Sequence, residues 1–423
     1  MTRRSFLALM AGLALFPRAA FALEDGENAP ESGAQGGAPF DVIVANDLHY
    51  LARELTDNGE FFMRMAENGD GKVMRYSEEL VEAFICEVIE RRPDALILAG
   101  DLTFNGERVS HERLAEKLSR VADAGVRVLA LPGNHDLNMR IAASFSGDGY
   151  TLVPSVTADE FCAIYGAFGY DGALSRDAHS LSYLARLAPG VLALLVDVNG
   201  VPMMNELPLE TLAWIDEQLA FARQNGERVI AVSHQNLLRH NEHMYTGFTI
   251  DNAAELLARY EAAGVALSLS GHIHMQHIAV SESGLPDIAT SSLAVSPNQY
   301  GVLNIYGDRI EYATRTYDIA AWAAKNGSTD PDLLDFPSYS AGFFKSTQMR
   351  QTIASVAKDE DPMELAGFMA DVSAAYFAGR MDLVDLDPAM LKRWAAQGTF
   401  FAVFLDALVR EAPGDCTKLT VRG

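Results

Sequence analysis

Thiols and positive charge are both scarce in this sequence. The three cysteines share no CxxC spacing, which argues against a zinc-thiolate site. Lys and Arg number 33 against 57 Asp and Glu, which gives a formal net charge of -24. A surface of that sign repels the phosphates of DNA and RNA, so it argues against binding of a nucleic acid duplex. Small-molecule chemistry fits this composition better.

The sequence also lacks a Gly-rich phosphate loop of the Walker type and an N-terminal apolar run long enough for a permanent transmembrane helix. Residues 6–16 form a short apolar stretch that follows the twin arginine Arg3-Arg4 and precedes a small-residue site at 20–22. This order is typical of a twin-arginine signal peptide over residues 1–22, with a retained membrane anchor as the alternative. Cleavage would remove three arginines and no acidic residue, changing the formal charge from -24 to -27. We therefore expect an exported protein, whether periplasmic, cell-surface or secreted.

The pattern of apolar residues divides the rest of the chain into three regions. Residues 23–39, rich in Gly, Ala and Glu, predict a flexible linker. Residues 40–316 alternate short apolar runs with helix-patterned segments, which predicts a layered α/β domain whose sheet faces are covered by helices. Residues 317–423 have apolar residues at helical spacing without alternating strand patterns, and they predict a small helical accessory domain. The predicted strands are 41–47, 94–101, 126–132, 191–198, 228–233, 265–270, 301–306 and 309–315, and the predicted helices before residue 317 are 77–91, 112–124, 158–168, 211–224 and 252–263.

Polar side chains follow most of the predicted strands at the point where each strand ends. They are Asp47 and His49, Asp101, Asn134 to Asp136, His234, and His272 with His274. Five of the ten histidines in the chain occupy these positions. A single strand-end His or Asp is more often a turn or cap residue than a ligand, but chance does not explain five such motifs in order. The carboxyl ends of strands in a layered α/β fold open into one crevice, so we expect these groups to converge.

The donor types predict a metal site without thiolates. Carboxylate, amide and imidazole groups suit Mn, Fe, Zn or Co ions, and the sequence does not choose between them. Asp47 and His49 are an i, i+2 pair, as are His272 and His274, and the side chains of such a pair would share one face of a straight strand. Both members of a pair would then reach one ion or two neighbouring ions.

The ordered motifs Asp-x-His, Gly-Asp, Gly-Asn-His-Asp, a single His after a strand, and Gly-His-x-His resemble the calcineurin-like metallophosphoesterase superfamily over residues 41–315. The resemblance implies an α/β fold, a four-layer sandwich of two mixed β-sheets flanked by helices. It also implies a centre of two divalent or trivalent metal ions bridged by Asp101. The other implied ligands are Asp47, His49 and His274 for the first ion, and Asn134, His234 and His272 for the second.

Longer stretches are similar to the bacterial cyclic-nucleotide phosphodiesterase-like branch of that superfamily, which includes members with a helical C-terminal domain. The stretches are GDLTFNGERVSHERLAEKL, FGYDGALSRDAHSLSY, SHQNLLRHN and LSLSGHIHMQH. Two positions depart from related patterns. Gln235 stands where that branch often has a second His, which changes the contacts expected near the substrate. Phe104 stands where purple acid phosphatases have a tyrosinate ligand, so the purple subclass is rejected.

The resemblance implies a phosphoester hydrolase, most of all a phosphodiesterase, with a metal-bridging hydroxide as nucleophile and 3′,5′-cyclic nucleotides as one substrate class. His135 would protonate the leaving alkoxide or stabilise the phosphoryl oxygens. The expected partner is a small phosphoester. Two alternatives stay open: a phosphomonoesterase or nucleotidase that uses the same site, and a non-catalytic metal-binding scaffold.

Other polar residues near these motifs have two alternative roles each. Asp136 either orients His135 or caps the following turn, and the cap is favoured. Asn105 either contacts substrate or belongs to a turn. Three more histidines either line the pocket or lie on the surface, the surface being favoured for at least two of them: His240, His243 and His277.

Overall fold

The computed structural model of the protein describes residues 39–411 and 413–422. The predicted signal peptide and all of the predicted linker except residue 39 lie outside the described residues, so both assignments stay predictions. Among the helices that are described, none combines the length and the apolar character needed to cross a membrane.

Fifteen strands lie within the described residues and are numbered here in chain order. They are β1 (Phe40–Ala45), β2 (Ala95–Ala99), β3 (Arg127–Leu131), β4 (Ala143–Ser146), β5 (Gly149–Leu152), β6 (Ser175–Arg176), β7 (Tyr183–Ala188), β8 (Val191–Val196), β9 (Arg228–Ser233), β10 (Leu267–Ser270), β11 (His277–Val280), β12 (Pro286–Ala289), β13 (Gln299–Ile305), β14 (Arg309–Thr316) and β15 (Lys418–Arg422). All eight strands predicted from the sequence are present, whereas seven short ones were not predicted.

The strands form two mixed sheets and one separate hairpin, β4-β5. The first sheet has the order β15-β14-β13-β1-β2-β3, and the second has the order β11-β12-β10-β9-β8-β7-β6. Strands β1-β2-β3 and β8-β9-β10-β12 are parallel. They read as apolar runs, such as ALILA in β2 and VLALLV in β8, because both faces of a parallel sheet are covered. One core contains Leu96 from the first sheet and Val232 and Leu269 from the second, so the two sheets pack face to face.

Helices cover the outer faces of both sheets. In chain order they are α1 (Glu60–Glu67), α2 (Ser77–Arg91), α3 (Arg108–Asp123), α4 (Ala158–Ile164), α5 (Leu209–Gln224) and α6 (Ala253–Ala263). Leu80 of α2 and Leu114 of α3 join the core of the first sheet, while Leu212 of α5 and Leu256 of α6 pack on the second. The four-layer prediction is therefore confirmed. The helix predicted over 158–168 is shorter than expected because a π-turn with Gly169 at φ 125° follows α4.

Helices dominate the chain after β14. They are α7 (Ile319–Lys325), α8 (Pro331–Leu334), α9 (Phe336–Thr352), α10 (Pro362–Phe377), α11 (Pro388–Gln397) and α12 (Phe400–Glu411). An Asp-Pro pair starts α8, α10 and α11, where the Asp side chain accepts a backbone N–H of the first turn and proline needs no partner. The expectation that no strand follows residue 317 was wrong, because β15 pairs antiparallel with β14 at the edge of the first sheet.

Candidate metal centre

All seven predicted ligands lie at the carboxyl ends of parallel strands, in one crevice between the two sheets. Asp47 and His49 follow β1, Asp101 follows β2, and Asn134 follows β3. His234 follows β9, and His272 and His274 follow β10. The side chains of six of them form two groups whose ligand atoms lie within 4.8 Å of one another: Asp47, His49, Asp101 and His274 in the first group, and Asp101, His234 and His272 in the second.

The backbone at these strand ends differs from the straight strand assumed for the i, i+2 pairs. Five of the seven positions have left-handed φ angles: 52° at Asp47, 43° at His49, 50° at Asp101, 69° at His272 and 59° at His274. Such angles are uncommon for residues other than glycine and cluster at functional sites. Since β1 ends at residue 45 and β10 at residue 270, the pairs lie beyond their strands, and His272 and His274 consequently point into different groups.

Three glycines in the predicted motifs leave room for the ligand side chains. A Cβ added at Gly100 would lie 2.5 Å from Nδ1 of His234, and one added at Gly271 would lie 2.8 Å from Oδ2 of Asp47. A Cβ at Gly133 would overlap both the backbone nitrogen and Oδ1 of Asp101. The glycines of the Gly-Asp, Gly-Asn-His-Asp and Gly-His-x-His motifs are therefore steric requirements of this arrangement.

In the first group, imidazole nitrogens and carboxylate oxygens lie directly next to one another. Nε2 of His49 lies 3.1 Å from Nε2 of His274, 3.8 Å from Oδ1 of Asp47 and 3.7 Å from Oδ2 of Asp101. Nε2 of His274 lies 3.3 Å from Oδ1 of Asp47. Burial, followed by the charge of Lys72, lowers the pKa of His49 well below its usual range, so its imidazole is neutral in this environment.

The second group is organised around His234 and shares Asp101 with the first. Nε2 of His234 lies 3.3 Å from Oδ1 of Asp101 and 3.1 Å from Oδ1 of Asn134. Nδ1 of His234 lies 2.8 Å from the carbonyl oxygen of Ala99, which can only accept, so Nδ1 carries the hydrogen and Nε2 faces the site. Nε2 of His272 likewise donates to the carbonyl of Gly247 at 2.8 Å, which leaves Nδ1 of His272 for the site.

A pair of metal ions fits the groups that are present. Asp47 Oδ1 is buried without a hydrogen-bond partner and faces the His274 ring nitrogen. The Nε2 atoms of His49 and His274 lie close together, so a cation bound there would have one imidazole nitrogen from each ring as a ligand. Asp101 directs one carboxylate oxygen toward each group, as a bridging ligand would. The oxygen and nitrogen donors without a thiolate suit Mn, Fe, Zn or Co.

Asp136 joins the loops that carry Asp101 and Asn134. Its carboxylate accepts the backbone N–H groups of Leu102, Thr103 and Gly133 at 3.0, 2.9 and 2.8 Å. All three groups precede Asp136 in the chain, so these contacts match neither a cap of the following turn nor an orientation of His135. His111, which the sequence reasoning did not single out, lies beneath the same loop with Nε2 3.0 Å from the carbonyl oxygen of Asp136.

His135 lies beside the centre with one ring nitrogen committed to the protein. Its Nδ1 lies 2.9 Å from the carbonyl oxygen of Phe104 and 3.1 Å from Oδ1 of Asn105, so Nδ1 carries a hydrogen and Nε2 is the free atom. The rings of His135 and His49 meet edge to face with centroids 5.0 Å apart. Asn105 therefore contacts the proposed catalytic histidine, a role that the sequence alone did not assign.

Glu107 is a buried acid that the sequence reasoning missed. Its Oε2 accepts the backbone N–H of Asn105 at 3.0 Å, whereas its Oε1 is buried without a partner. Burial raises the pKa of Glu107 to about 7. Glu107 thus supports the loop that holds His135, and burial favours the protonated form of its side chain.

We expect Glu107→Gln to remove a pH-dependent loss of stability. The pKa of Glu107 is raised from 4.5 to about 7 by folding, so the wild-type free energy of unfolding falls as pH rises through that interval and stays lower above it. At 1.36 kcal/mol per pKa unit the loss is at most about 3 kcal/mol. Urea unfolding of the chelator-treated protein at pH 5 and pH 8 should show the variant gaining stability relative to wild type at pH 8.

The exposed Glu112 provides the control for this change, because Glu112→Gln removes an acid from the same helical region without touching the loop. Its unfolding curves should follow those of wild type at both pH values. If Glu107→Gln also followed wild type at pH 8, Glu107 would not carry the raised pKa.

The expectation that at least two of His240, His243 and His277 lie on the surface was wrong. His240 and His277 are buried, not at the surface, with their Nδ1 atoms 3.0 Å apart and Nε2 of His240 3.2 Å from Oδ2 of Asp287. These contacts point away from a pocket-lining role. Gln235 is also buried and exchanges two amide hydrogen bonds with Asn199, at 2.7 and 3.0 Å.

The helices after β14 pack against the loop that carries His272 and His274, on the side away from the metal centre. Ile273 and Met275, which alternate with the two histidines, belong to an apolar cluster with residues of α10, α11 and α12, including Met369 and Trp394. The backbone N–H of Gln276 donates to the carbonyl oxygen of Phe377 at 2.9 Å. The helical region therefore supports one wall of the candidate metal centre.

Comparison with known proteins assigns the chain to a family. Residues 40–276 match the calcineurin-like phosphoesterase family, and residues 318–411 match the C-terminal domain of cyclic nucleotide phosphodiesterase. The first match covers more than half of the chain, so the chain belongs to the calcineurin-like phosphoesterase family. The superfamily resemblance noted in the strand-end motifs is thereby confirmed. No curated protein matches this chain.

Solved structures with the same architecture are distant. A dimetal phosphatase from Danio rerio has 16% sequence identity and a TM-score of 0.47, over 66% of this chain and 97% of that one. A purple acid phosphatase from yellow lupin (Lupinus luteus) seeds has 12% identity and a TM-score of 0.44, over 67% of this chain and 52% of that one. Similarities this low carry no argument about substrate, and the family assignment rests on the sequence match.

Proposed function

We propose that the protein is a phosphodiesterase that depends on two metal ions bound by Asp47, His49, Asp101, Asn134, His234, His272 and His274, with 3′,5′-cyclic nucleotides as one candidate substrate class. The observation that carries the proposal is the division of six of these donors into two groups that share Asp101, with Asn134 next to His234 of the second group. The match of residues 318–411 to a cyclic nucleotide phosphodiesterase domain supports the diester over the monoester. Bound there, the two ions would neutralise phosphoryl charge and activate a water molecule for attack on phosphorus.

In this proposal His135 acts on the leaving group. With Nδ1 committed to Phe104 and Asn105, only Nε2 can hold a proton for the substrate, so His135 must be the imidazolium to donate it. Burial lowers the pKa of His135, and the opposing effect of the Asp101 carboxylate does not cancel it, so the pKa stays below its usual value. An anionic substrate would raise this pKa and so favour the imidazolium, since an opposite charge nearby favours the charged form.

The choice between diester and monoester can be made with two chromogenic substrates. We expect the protein purified with Mn²⁺ to cleave bis-p-nitrophenyl phosphate at a higher kcat/KM than p-nitrophenyl phosphate. The reverse ranking would favour the phosphomonoesterase or nucleotidase alternative. Removal of the metal with a chelator should abolish both activities, and re-addition of Mn²⁺ should restore them.

The non-catalytic alternative is disfavoured by the completeness of the site. All seven ligand positions hold oxygen or nitrogen donors, and the strained backbone and tightly placed glycines are costs that a scaffold would not need. Cleavage of neither ester by metal-loaded wild-type protein would favour the scaffold.

A further inference from the structure

An ion pair between a buried lysine and an exposed aspartate lies near the candidate metal centre. Nζ of Lys72 is 3.0 Å from Oδ2 of Asp70, and the Lys72 side chain is only 8% exposed while that of Asp70 is 54% exposed. Lys72 lowers the pKa values of His49 and His135, and His274 and His135 act on Asp70 in turn. Both residues of the pair therefore lie within electrostatic range of the first group of ligands and of the proposed catalytic histidine.

The segment that carries Lys72 is anchored to the metal centre. Lys72 forms an antiparallel bridge with Val295, and the backbone N–H of Val73 donates to the carbonyl oxygen of Ala294 at 2.8 Å. The N–H of Ala294 lies 3.4 Å from the carbonyl oxygen of Asp47. A short path of backbone contacts thus fixes Lys72 relative to the first candidate ligand.

Helix α9 holds the same segment from the opposite side. Gln351 donates to the carbonyl oxygen of Gly69 at 2.8 Å, and Arg350 donates to that of Glu67 at 2.7 Å. Phe344 lies so close to Gly71 that an added Cβ would be 3.1 Å from its ring. The segment that carries Lys72 is therefore held by two other parts of the chain, residues 294–295 and α9.

The ammonium of Lys72 has unused donor capacity. It can donate three hydrogen bonds, but Asp70 is its only ionic or hydrogen-bonding partner among the described residues. A buried donor without a partner is costly, and an ammonium beside two bound metal ions would be repelled by their positive charge. Both costs fall when an anion lies between the ammonium and the metal centre.

We propose that Lys72 binds a non-bridging phosphoryl oxygen of the substrate on the side of Asp47, His49 and His274, with Asp70 as a positioning residue. The inference rests on the phosphoester hydrolysis proposed above. It assigns the protein a substrate contact in addition to the metal ions. A purely structural ion pair, which would only anchor the segment, is the alternative.

Binding of inorganic phosphate to the Mn²⁺-loaded protein, measured by calorimetry, tests the inference without requiring turnover. We expect Lys72→Met, which keeps the apolar stem, to weaken phosphate binding about 10- to 100-fold, as loss of a hydrogen bond to a charged group does. Lys117→Met is the matched control, because Lys117 is 13% exposed and pairs with Glu78 and Glu82 instead. The control should bind phosphate as wild type does, and both variants should keep the wild-type metal content.

Two results would overturn the inference: wild-type phosphate affinity in Lys72→Met, or loss of metal from Lys72→Met but not from Lys117→Met. Lys72→Gln, with a neutral polar head of similar length, replaces Lys72→Met if that variant does not fold. Phosphate binding that depends on Lys72 in a protein that cleaves neither ester would sustain the inference and refute the hydrolase. Ester cleavage with unchanged phosphate binding in Lys72→Met would refute the inference alone.

Discussion

Asp101→Asn is expected to reduce hydrolysis of bis-p-nitrophenyl phosphate by more than about 100-fold, which exceeds the usual effect of losing a residue that only supports a metal ligand. The two oxygens of Asp101 face different ligand groups, so neutralising this side chain weakens both at once. Burial raises the pKa of Asp101, but His234 and His135 outweigh it and hold the pKa well below its usual range. Metal analysis should find fewer than two ions per chain in the variant.

Asp197→Asn provides a matched control for the loss of Asp101. Asp197 is also a buried aspartate at a strand end, directly after β8, and it accepts backbone N–H groups of Leu181, Asn199 and Gly200. It belongs to neither ligand group. We expect Asp197→Asn to lower the unfolding temperature while leaving metal content unchanged. Unchanged turnover in Asp101→Asn would show that hydrolysis takes place elsewhere.

Gly100→Ala is expected to impair the second ligand group although it changes no ligand. The new methyl carbon would lie 2.5, 2.6 and 2.8 Å from three atoms of His234, so this ring must move away from the carbonyl oxygen of Ala99 and from Asp101. Overpacking of this kind costs about 1–3 kcal/mol. Displacement of a ligand by even about 1 Å can cost 100-fold in rate, so we expect a loss of that order. Metal content and hydrolysis measure it directly.

Gly125→Ala separates this collision from backbone strain. Gly125 has φ 89°, almost equal to the 88° of Gly100, but an added Cβ there would meet nothing within 4 Å. The control should therefore lose about 1–2 kcal/mol of stability from its left-handed backbone and retain full activity. Equal loss of activity in the two variants would mean that strain, and not contact with His234, accounts for the effect.

The convergence of the seven candidate ligands could be predicted because each motif lies directly after an apolar strand. The parallel strands are nearly uninterrupted runs of buried residues, such as β2 and β8, and their carboxyl ends have to meet at one edge. The local geometry could not be predicted in the same way. His272 and His274 both lie on the crevice side of their turn, but its left-handed backbone directs them into different ligand groups.

The burial and contacts of some residues could not be predicted from the sequence, because they depend on residues far away along the chain. Lys72 and Glu107 stand in loops without apolar periodicity, and their burial arises from Val295 and Ser155, which pair with them from elsewhere in the chain. His240 and His277 were placed wrongly because the Asp287 that binds His240 belongs to β12, a four-residue strand that was not predicted. Strand β15 is five residues long and partly exposed, so its alternation is too short to distinguish from a loop.

The turn from 272 to 275 belongs to two compartments at once, since its even-numbered side chains enter the crevice and its odd-numbered ones enter the helical cluster. Whatever is bound by the histidines must therefore also hold Ile273 and Met275 against Met369 and Trp394. By mass action, a ligand that binds in the crevice also stabilises the packing of helices α10, α11 and α12 against the turn. Hydrogen exchange in those helices would then become slower when the crevice is occupied. The exchange rates of the accessory region would therefore report whether the metal centre is loaded.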